Sequence, residues 1–116
     1  GFSHETIAKE DLDGANAAEH PIVRTHPESN RKCLFVNPGN TSRIIGLHPR
    51  ESKELLDFLY QHIQHPDFQC RFSWRPNSIA FWDNRCAQHY AISDYLPNVR
   101  SGYRVQIEGT VAPVAG

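Results

Sequence analysis

A single segment of the chain has the periodicity of an amphipathic helix, and short β-like runs separated by turns surround it. It begins at Pro49, carries acidic residues in its first turn, and should end near Gln64, before Pro66. Its apolar residues recur at spacings of three and four, and they are Leu55, Leu56, Leu59 and Ile63. One helix among many short runs predicts a mainly β domain.

The runs before the helix predict a hairpin. Residues 20–24 and 32–37 are short apolar stretches on either side of a turn-rich segment at 26–30. A further extended piece is expected at 43–47.

The runs after the helix alternate polar and apolar residues, and turn signals lie between them. We expect strands at 69–74, 78–82, 86–92 and 103–108. The aromatic residues expected to pack in their core are Phe72, Trp74, Phe81 and Trp82.

The chain has 116 residues, of which 39% are hydrophobic, so it can build one modest core. Residues 1–19 mix charges, Gly and Ala and are predicted to be a flexible lead-in. The domain is expected over 20–110, followed by a tail at 111–116. No Met occurs anywhere, which favours a trimmed, processed or fragmentary chain.

The charge balance and the cysteines narrow the class of protein. Twelve basic and thirteen acidic residues give a net charge of −1, which argues against binding to nucleic acid or an anionic membrane. There is no apolar window of about 18 to 20 residues and no signal-peptide pattern. Three cysteines without CxxC spacing favour reduced thiols, and hence a cytoplasmic protein.

Familiar nucleophile, dinucleotide, phosphate-loop and zinc-protease motifs are absent. The sharpest local feature is His89, followed 11 and 15 residues later by Arg100 and Arg104. An imidazole on a strand can ligate a metal, and two arginines can bind a carboxylate or sulfonate. The alternative is a hydrogen-bonded sheet histidine with two solvated arginines.

Several blocks of sequence, in order, resemble the C-terminal part of the taurine dioxygenase family of Fe(II)- and 2-oxoglutarate-dependent dioxygenases. These blocks are 20–28 (HPIVRTHPE), 34–37 (LFVN), 41–47 (TSRIIGL), 82–85 (WDNR) and 88–91 (QHYA). The last two are specific to the family, and the resemblance covers about the last hundred residues.

The resemblance implies a site. His89 matches the distal histidine of a two-histidine, one-carboxylate iron centre. Arg100 matches the arginine that binds 2-oxoglutarate, and Arg104 the one that binds the substrate anion. Asn40 stands where taurine dioxygenase has an aromatic pocket residue, so a small sulfonate, sulfate ester or similar anion other than taurine is expected. Succinate and CO2 would be the co-products.

The other two iron ligands of the family form an H-x-D/E motif far upstream of the distal histidine. Only 88 residues precede His89, and the H-x-E at 26–28 and H-x-D at 65–67 contain proline and predict surface turns. The resemblance therefore implies the C-terminal half of a double-stranded β-helix, or jelly roll, with one packed helix.

A half jelly roll needs a partner: the missing N-terminal half, another copy of the chain, or a homo-oligomer. The alternative function is a non-catalytic fragment or assembly module of the same fold that lacks the H-x-D half of the iron site. A histidine-rich zinc domain has no recognisable ligand spacing here.

Overall fold

The computed structural model describes residues 5–8 and 18–115. The elements are β1 (Glu5–Ala8), β2 (Glu19–Pro21), β3 (Val23–Thr25), β4 (Lys32–Leu34), β5 (Thr41–Ile44), helix α1 (Pro49–Ile63), a 3₁₀ turn (Pro66–Phe68) and β6 (Val114–Ala115). The six short strands form two three-stranded antiparallel sheets, ordered β2-β1-β5 and β4-β3-β6. The mainly β class with one helix is confirmed.

Helix α1 has the predicted bounds because its ends are encoded locally. The Nδ1 atom of His48 accepts the Arg50 backbone N–H at 3.2 Å, and Pro49 occupies the first turn. Gln64 ends the helix just before Pro66. Leu56 is buried in the predicted apolar stripe.

The predicted hairpin is confirmed as β3 paired with β4, with Arg24 opposite Cys33. Its connection closes through the His26 N–H, which donates to the Arg31 carbonyl at 2.8 Å. Asn30 adopts a φ of 58°, a left-handed conformation that Asn tolerates in turns.

A small core joins the hairpin, β5 and α1. Its buried apolar residues are Ile22, Val36, Ile44 and Leu56. Ser52 on α1 is also buried, and its Oγ accepts the Ile44 backbone N–H at 2.8 Å. Strand β5 lies at the edge of its sheet, and this hydrogen bond links it to α1.

The strands predicted at 69–74, 78–82, 86–92 and 103–108 do not form in the described part of the chain, so that prediction is wrong here. The turns between them do form: Ser78 N–H donates to Arg75 O at 3.0 Å, and Asn98 N–H to Tyr95 O at 2.8 Å. An alternating pattern specifies a half-buried face, but a strand exists only when a neighbour pairs with it. No such neighbour lies among the described residues.

The aromatic core predicted for these runs is also wrong in this structure. Its members are exposed: Phe72 (55%), Trp74 (65%), Phe81 (88%) and Trp82 (38%). Their burial needs a second apolar layer, which the described residues do not supply.

The predicted lead-in and tail each contribute a strand to a sheet. Strand β1 and Glu19, the first residue of β2, lie inside the predicted lead-in, whereas its residues 1–4 and 9–17 lie outside the described residues. Strand β6 lies inside the predicted tail, where Ala115 pairs with Arg24 of β3. The domain boundaries and the half jelly roll stay predictions.

Candidate functional site

The segment 83–88 is fastened to the hairpin by side chains. Asp83 Oδ2 accepts from His26 Nε2 at 2.9 Å and from Arg85 Nη2 at 2.8 Å, and its Oδ1 accepts from Arg85 Nε at 2.9 Å. Arg85 also contacts Glu28 at 3.3 Å. The hydrogen bonds from Arg85, and to a lesser extent the one from His26, hold the pKa of Asp83 well below its usual range. The Asp83 carboxylate in turn raises the pKa of Arg85.

His26 lies in the hairpin loop, and the loop backbone fixes the orientation of its ring toward Asp83. Its Nδ1 lies 3.2 Å from both the Glu28 and Ser29 backbone nitrogens, which donate to it. The proton of the neutral ring therefore belongs on Nε2, where it points at Asp83. The predicted turn at 26–28 is confirmed, but His26 itself is buried rather than on the surface.

His26, Asp83 and Cys86 place possible metal-ligating atoms within 4.8 Å of one another. Metal binding would need a free lone pair on His26 Nε2, yet this atom donates to Asp83. The Asp83 carboxylate is already paired with Arg85. The contacts of His26 and Asp83 therefore join the hairpin to the 83–88 segment rather than form a metal site.

All three cysteines of the chain are free thiols, and burial raises the pKa of Cys33.

Gln88 makes the next connection toward the candidate iron ligand. Its Nε2 donates to the carbonyl of buried Val36 at 2.7 Å, and its Oε1 accepts from Asn37 Nδ2 at 3.1 Å. These contacts join positions 51 and 52 residues apart. They bring the 37–40 turn beside the residue that precedes His89.

His89 is exposed, and its ring lies 5.0 Å from that of Trp82 at an angle of 47°. Trp82 Nε1 donates to Asn84 Oδ1 at 2.7 Å, which holds the indole. Among the described residues, no hydrogen bond occupies the ring nitrogens of His89.

The described residues do not fit a complete iron centre. The three-residue group of possible metal ligands found in them, His26 with Asp83 and Cys86, excludes His89. A facial triad needs a second histidine and a carboxylate beside it. Of the three iron ligands that the resemblance implies, the described residues contain only the predicted one, His89, and no chemical step follows from it alone.

The other three predicted site residues lie apart. Asn40 is exposed in the 37–40 turn, where its N–H donates to Asn37 O at 3.2 Å. Arg100 and Arg104 are exposed, and no ion pair joins either to another described residue. The contact between Asn37 and Gln88 therefore links the Asn40 turn to the residue before His89, whereas neither arginine forms an ion pair within the described part of the chain.

His65, from the H-x-D at 65–67, caps the start of the 3₁₀ turn. His65 Nδ1 accepts the Asp67 backbone N–H at 3.2 Å and starts the 3₁₀ turn, as the predicted surface turn requires. Two open cavities, of about 460 and 430 Å³, lie elsewhere and are lined by none of the four candidate residues.

Sequence reasoning missed both long-range ties. Nothing in the spacing of the sequence indicated that Asp83 pairs with His26, or that Gln88 pairs with Asn37, more than 50 residues away in each case. All four residues of these two pairs lie in the blocks that resemble the taurine dioxygenase family, 20–28, 34–37, 82–85 and 88–91, and this shared resemblance was the one sign that these segments belong together.

The chain matches a protein-family model described as taurine catabolism dioxygenase TauD, TfdA family, over residues 3–106. A putative alpha-ketoglutarate-dependent sulfonate dioxygenase of Schizosaccharomyces pombe is 46% identical over 101 residues, covering 86% of this chain and 26% of that protein. An alpha-ketoglutarate-dependent sulfate ester dioxygenase of Pseudomonas putida is 37% identical, covering 80% and 31%.

Among solved structures, the crystal structure of a taurine dioxygenase from Burkholderia xenovorans is similar, with a TM-score of 0.64 and 41% identity. The superposed region covers 70% of this chain and 29% of the chain in that structure. The chain therefore belongs to the TauD, TfdA family, and it spans about a quarter to a third of the length of these relatives. Within the described residues, no helix is long and apolar enough to span a membrane.

Proposed function

We propose that the protein to which this chain contributes is an Fe(II)- and 2-oxoglutarate-dependent dioxygenase of a small sulfonate, sulfate ester or similar organic anion. Membership of the TauD, TfdA family carries the proposal, because the match runs through the segment that contains His89 and Arg104. Relatives with 46% and 37% identity are named as sulfonate and sulfate ester dioxygenases. Succinate and CO2 are the expected co-products.

In this proposal His89 is one of three iron ligands, and the other two come from outside the chain. Its exposed ring, free of hydrogen bonds to the described residues, supports that role. Arg100 binds the distal carboxylate of 2-oxoglutarate, and Arg104 binds the substrate anion. Both are exposed arginines without a carboxylate partner in the described part of the chain, so each can pair with a ligand.

Asn40 lines the substrate pocket in this proposal. Its position in an exposed turn tied to Gln88 supports a place near His89. A polar amide in place of an aromatic ring favours a substrate other than taurine.

We also propose that segments of the same polypeptide outside this chain cover the extended runs at 69–108. Apolar residues that alternate along the last run, Tyr103, Val105 and Ile107, are each at least 86% exposed. Exposed apolar surface on this scale marks an interaction site. Hydrogen exchange of the 103–108 amides in the chain alone and in the whole protein tests this: protection should appear only in the whole protein.

The experiment for the dioxygenase function is succinate release by the whole protein with Fe(II), 2-oxoglutarate and a panel of sulfonates and sulfate esters. His89→Ala should abolish release, whereas His62→Ala, an exposed histidine on α1, should not. Arg100→Ala should raise the KM for 2-oxoglutarate about tenfold or more, and Arg104→Ala the KM for the anion, because each loses a charge-assisted bond. Full turnover by His89→Ala contradicts the proposal.

The second candidate function is a non-catalytic fragment or assembly module. It is favoured for the isolated chain by a single observation, the lone donor at His89. The chain by itself should release no succinate, and release above the rate without protein would exclude this candidate.

A further inference from the structure

The turn that carries Asn40 and the segment that carries His89 are far apart in sequence and belong to no common sheet. The connection between them runs through two neutral side chains, Asn37 and Gln88. Asn37 is half-buried and Gln88 is exposed, so neither is a core residue.

The side-chain amide of Asn37 contacts both its own turn and Gln88. Its Oδ1 accepts the Gly39 backbone N–H at 2.7 Å, and its Nδ2 donates to Gln88 Oε1 at 3.1 Å. A Cβ built on Gly39 would lie 3.0 Å from this Oδ1, which is tighter than ordinary packing. Glycine therefore allows the turn to close on the amide.

The rest of the turn closes on the Asn37 backbone. The Asn37 N–H donates to Thr41 Oγ1 at 2.9 Å, and Asn37 O accepts from Asn40 N–H at 3.2 Å and Thr41 N–H at 2.8 Å. A shift of Asn37 would therefore move Asn40 with it.

The Gln88 amide is fixed from the other side. Its Nε2 donates to Val36 O at 2.7 Å, and Val36 is 1% exposed, within the core. An amide has one donor end and one acceptor end, so both of Gln88's contacts require this single orientation. These two contacts anchor the chain one residue before His89.

We propose that the Asn37–Gln88 amide pair is a positioning device that sets the Asn40 turn in register with His89. The roles of Asn40 and His89 rest on the proposed function, but the coupling between the two segments does not. Neither amide touches substrate or metal in this proposal. They act through the residues that they hold.

The test is nuclear magnetic resonance on the 116-residue chain, and it uses Asn37→Asp. Aspartate keeps an acceptor for the Gly39 N–H but loses the donor to Gln88, so the turn survives while the coupling is broken. The ring protons of His89 sense Trp82 at 5.0 Å, and their shifts should move toward those of a free histidine. The His62 ring, which packs 5.1 Å from Phe68, is the internal control and should not move.

The reciprocal variant is Gln88→Ala. The variant loses both hydrogen bonds of the Gln88 amide, and the one to Asn37 connects it to the Asn40 turn. Its loss should raise the exchange rate of the Asn40 amide by up to about tenfold, although the change lies 48 residues away in sequence (88 − 40). Gln106→Ala, the same substitution at an exposed glutamine, should leave this rate unchanged.

Unchanged His89 shifts in Asn37→Asp together with unchanged Asn40 exchange in Gln88→Ala would overturn the proposal. Asn37→Ala, which loses both bonds of the amide, should show both effects and checks that the turn depends on it. No metal is present in these measurements. A failure of the dioxygenase proposal in the succinate assay is therefore distinguishable from a failure of the coupling.

Discussion

Residues 18–63 and residues 69–113 both contain short apolar runs separated by turns, yet among the described residues only the first of these regions carries a helix and builds paired strands. In the first, β3 and β4 pair and α1 covers Ile44, which is 0% exposed. In the second, Ile107 is 86% exposed, and no ladder forms among the described residues. Local pattern specifies turns and faces, whereas a strand also needs a neighbour.

The two regions nevertheless remain in contact, through side chains rather than through backbone. His26 holds Asp83, and Asn37 with Val36 holds Gln88. Polar side chains therefore fix the 83–88 segment where a ladder would otherwise do so. The candidate site residues divide along the same line, with Asn40 in the paired region and His89, Arg100 and Arg104 in the unpaired one.

The largest expected difference comes from making the same substitution in both regions. Ile44→Ala should lower the free energy of unfolding by about 2 to 5 kcal/mol, because it leaves a cavity in the core. Ile107→Ala should change it by less than about 0.5 kcal/mol in the isolated chain, because its side chain is already in water. Urea unfolding measures both, and equal losses would show that Ile107 is buried.

The next effect tests whether α1 depends on one buried hydroxyl. Ser52→Ala leaves the Ile44 N–H without an acceptor and should cost about 1 to 3 kcal/mol. Ser42→Ala is the matched control, because the buried Ser42 hydroxyl has no hydrogen-bond partner among the described residues. Its removal should be neutral or stabilising in the same unfolding experiment. A loss in Ser42→Ala equal to that in Ser52→Ala contradicts this account.

A smaller effect comes from the cap that begins α1. His48→Ala removes the acceptor of the Arg50 N–H and should cost about 0.5 to 1 kcal/mol. His48→Asn, which keeps a short side-chain acceptor, should retain most of the stability. Thermal unfolding followed by circular dichroism compares the three proteins, and identical midpoints for the alanine and asparagine variants would show that the cap contributes nothing.

The paired region could be predicted from sequence because its signals are local. Pro49 and the spacing of Leu55, Leu56 and Leu59 set the helix, and 26–30 is a turn. The aromatic residues after the helix were predicted to be buried but are exposed, since an alternating pattern does not say whether a second layer covers it. His89 was found through resemblance, but its link to Asn37 was not, because hydrogen bonds over 50 residues leave no periodicity.

The smallest effect at neutral pH is expected at the tie between the two regions, where solvent weakens the ion pairs. Asp83→Asn removes the charge that pairs with Arg85 but keeps an acceptor for His26. The variant should unfold at a slightly lower urea midpoint than the original chain. Asp94→Asn, an exposed aspartate without an ion pair among the described residues, is the control and should not shift the midpoint.

The pH dependence gives this prediction its sign. Arg85 and His26 hold the pKa of Asp83 well below its usual range only in the folded chain, so the stabilisation is complete above the unfolded value of about 3.9. It is lost as the pH falls from there through the lower folded value. The gap between the original chain and Asp83→Asn should therefore be constant near neutral pH and narrow in acid. A gap that stays constant in acid would mean that the Asp83 charge does not fasten the 83–88 segment.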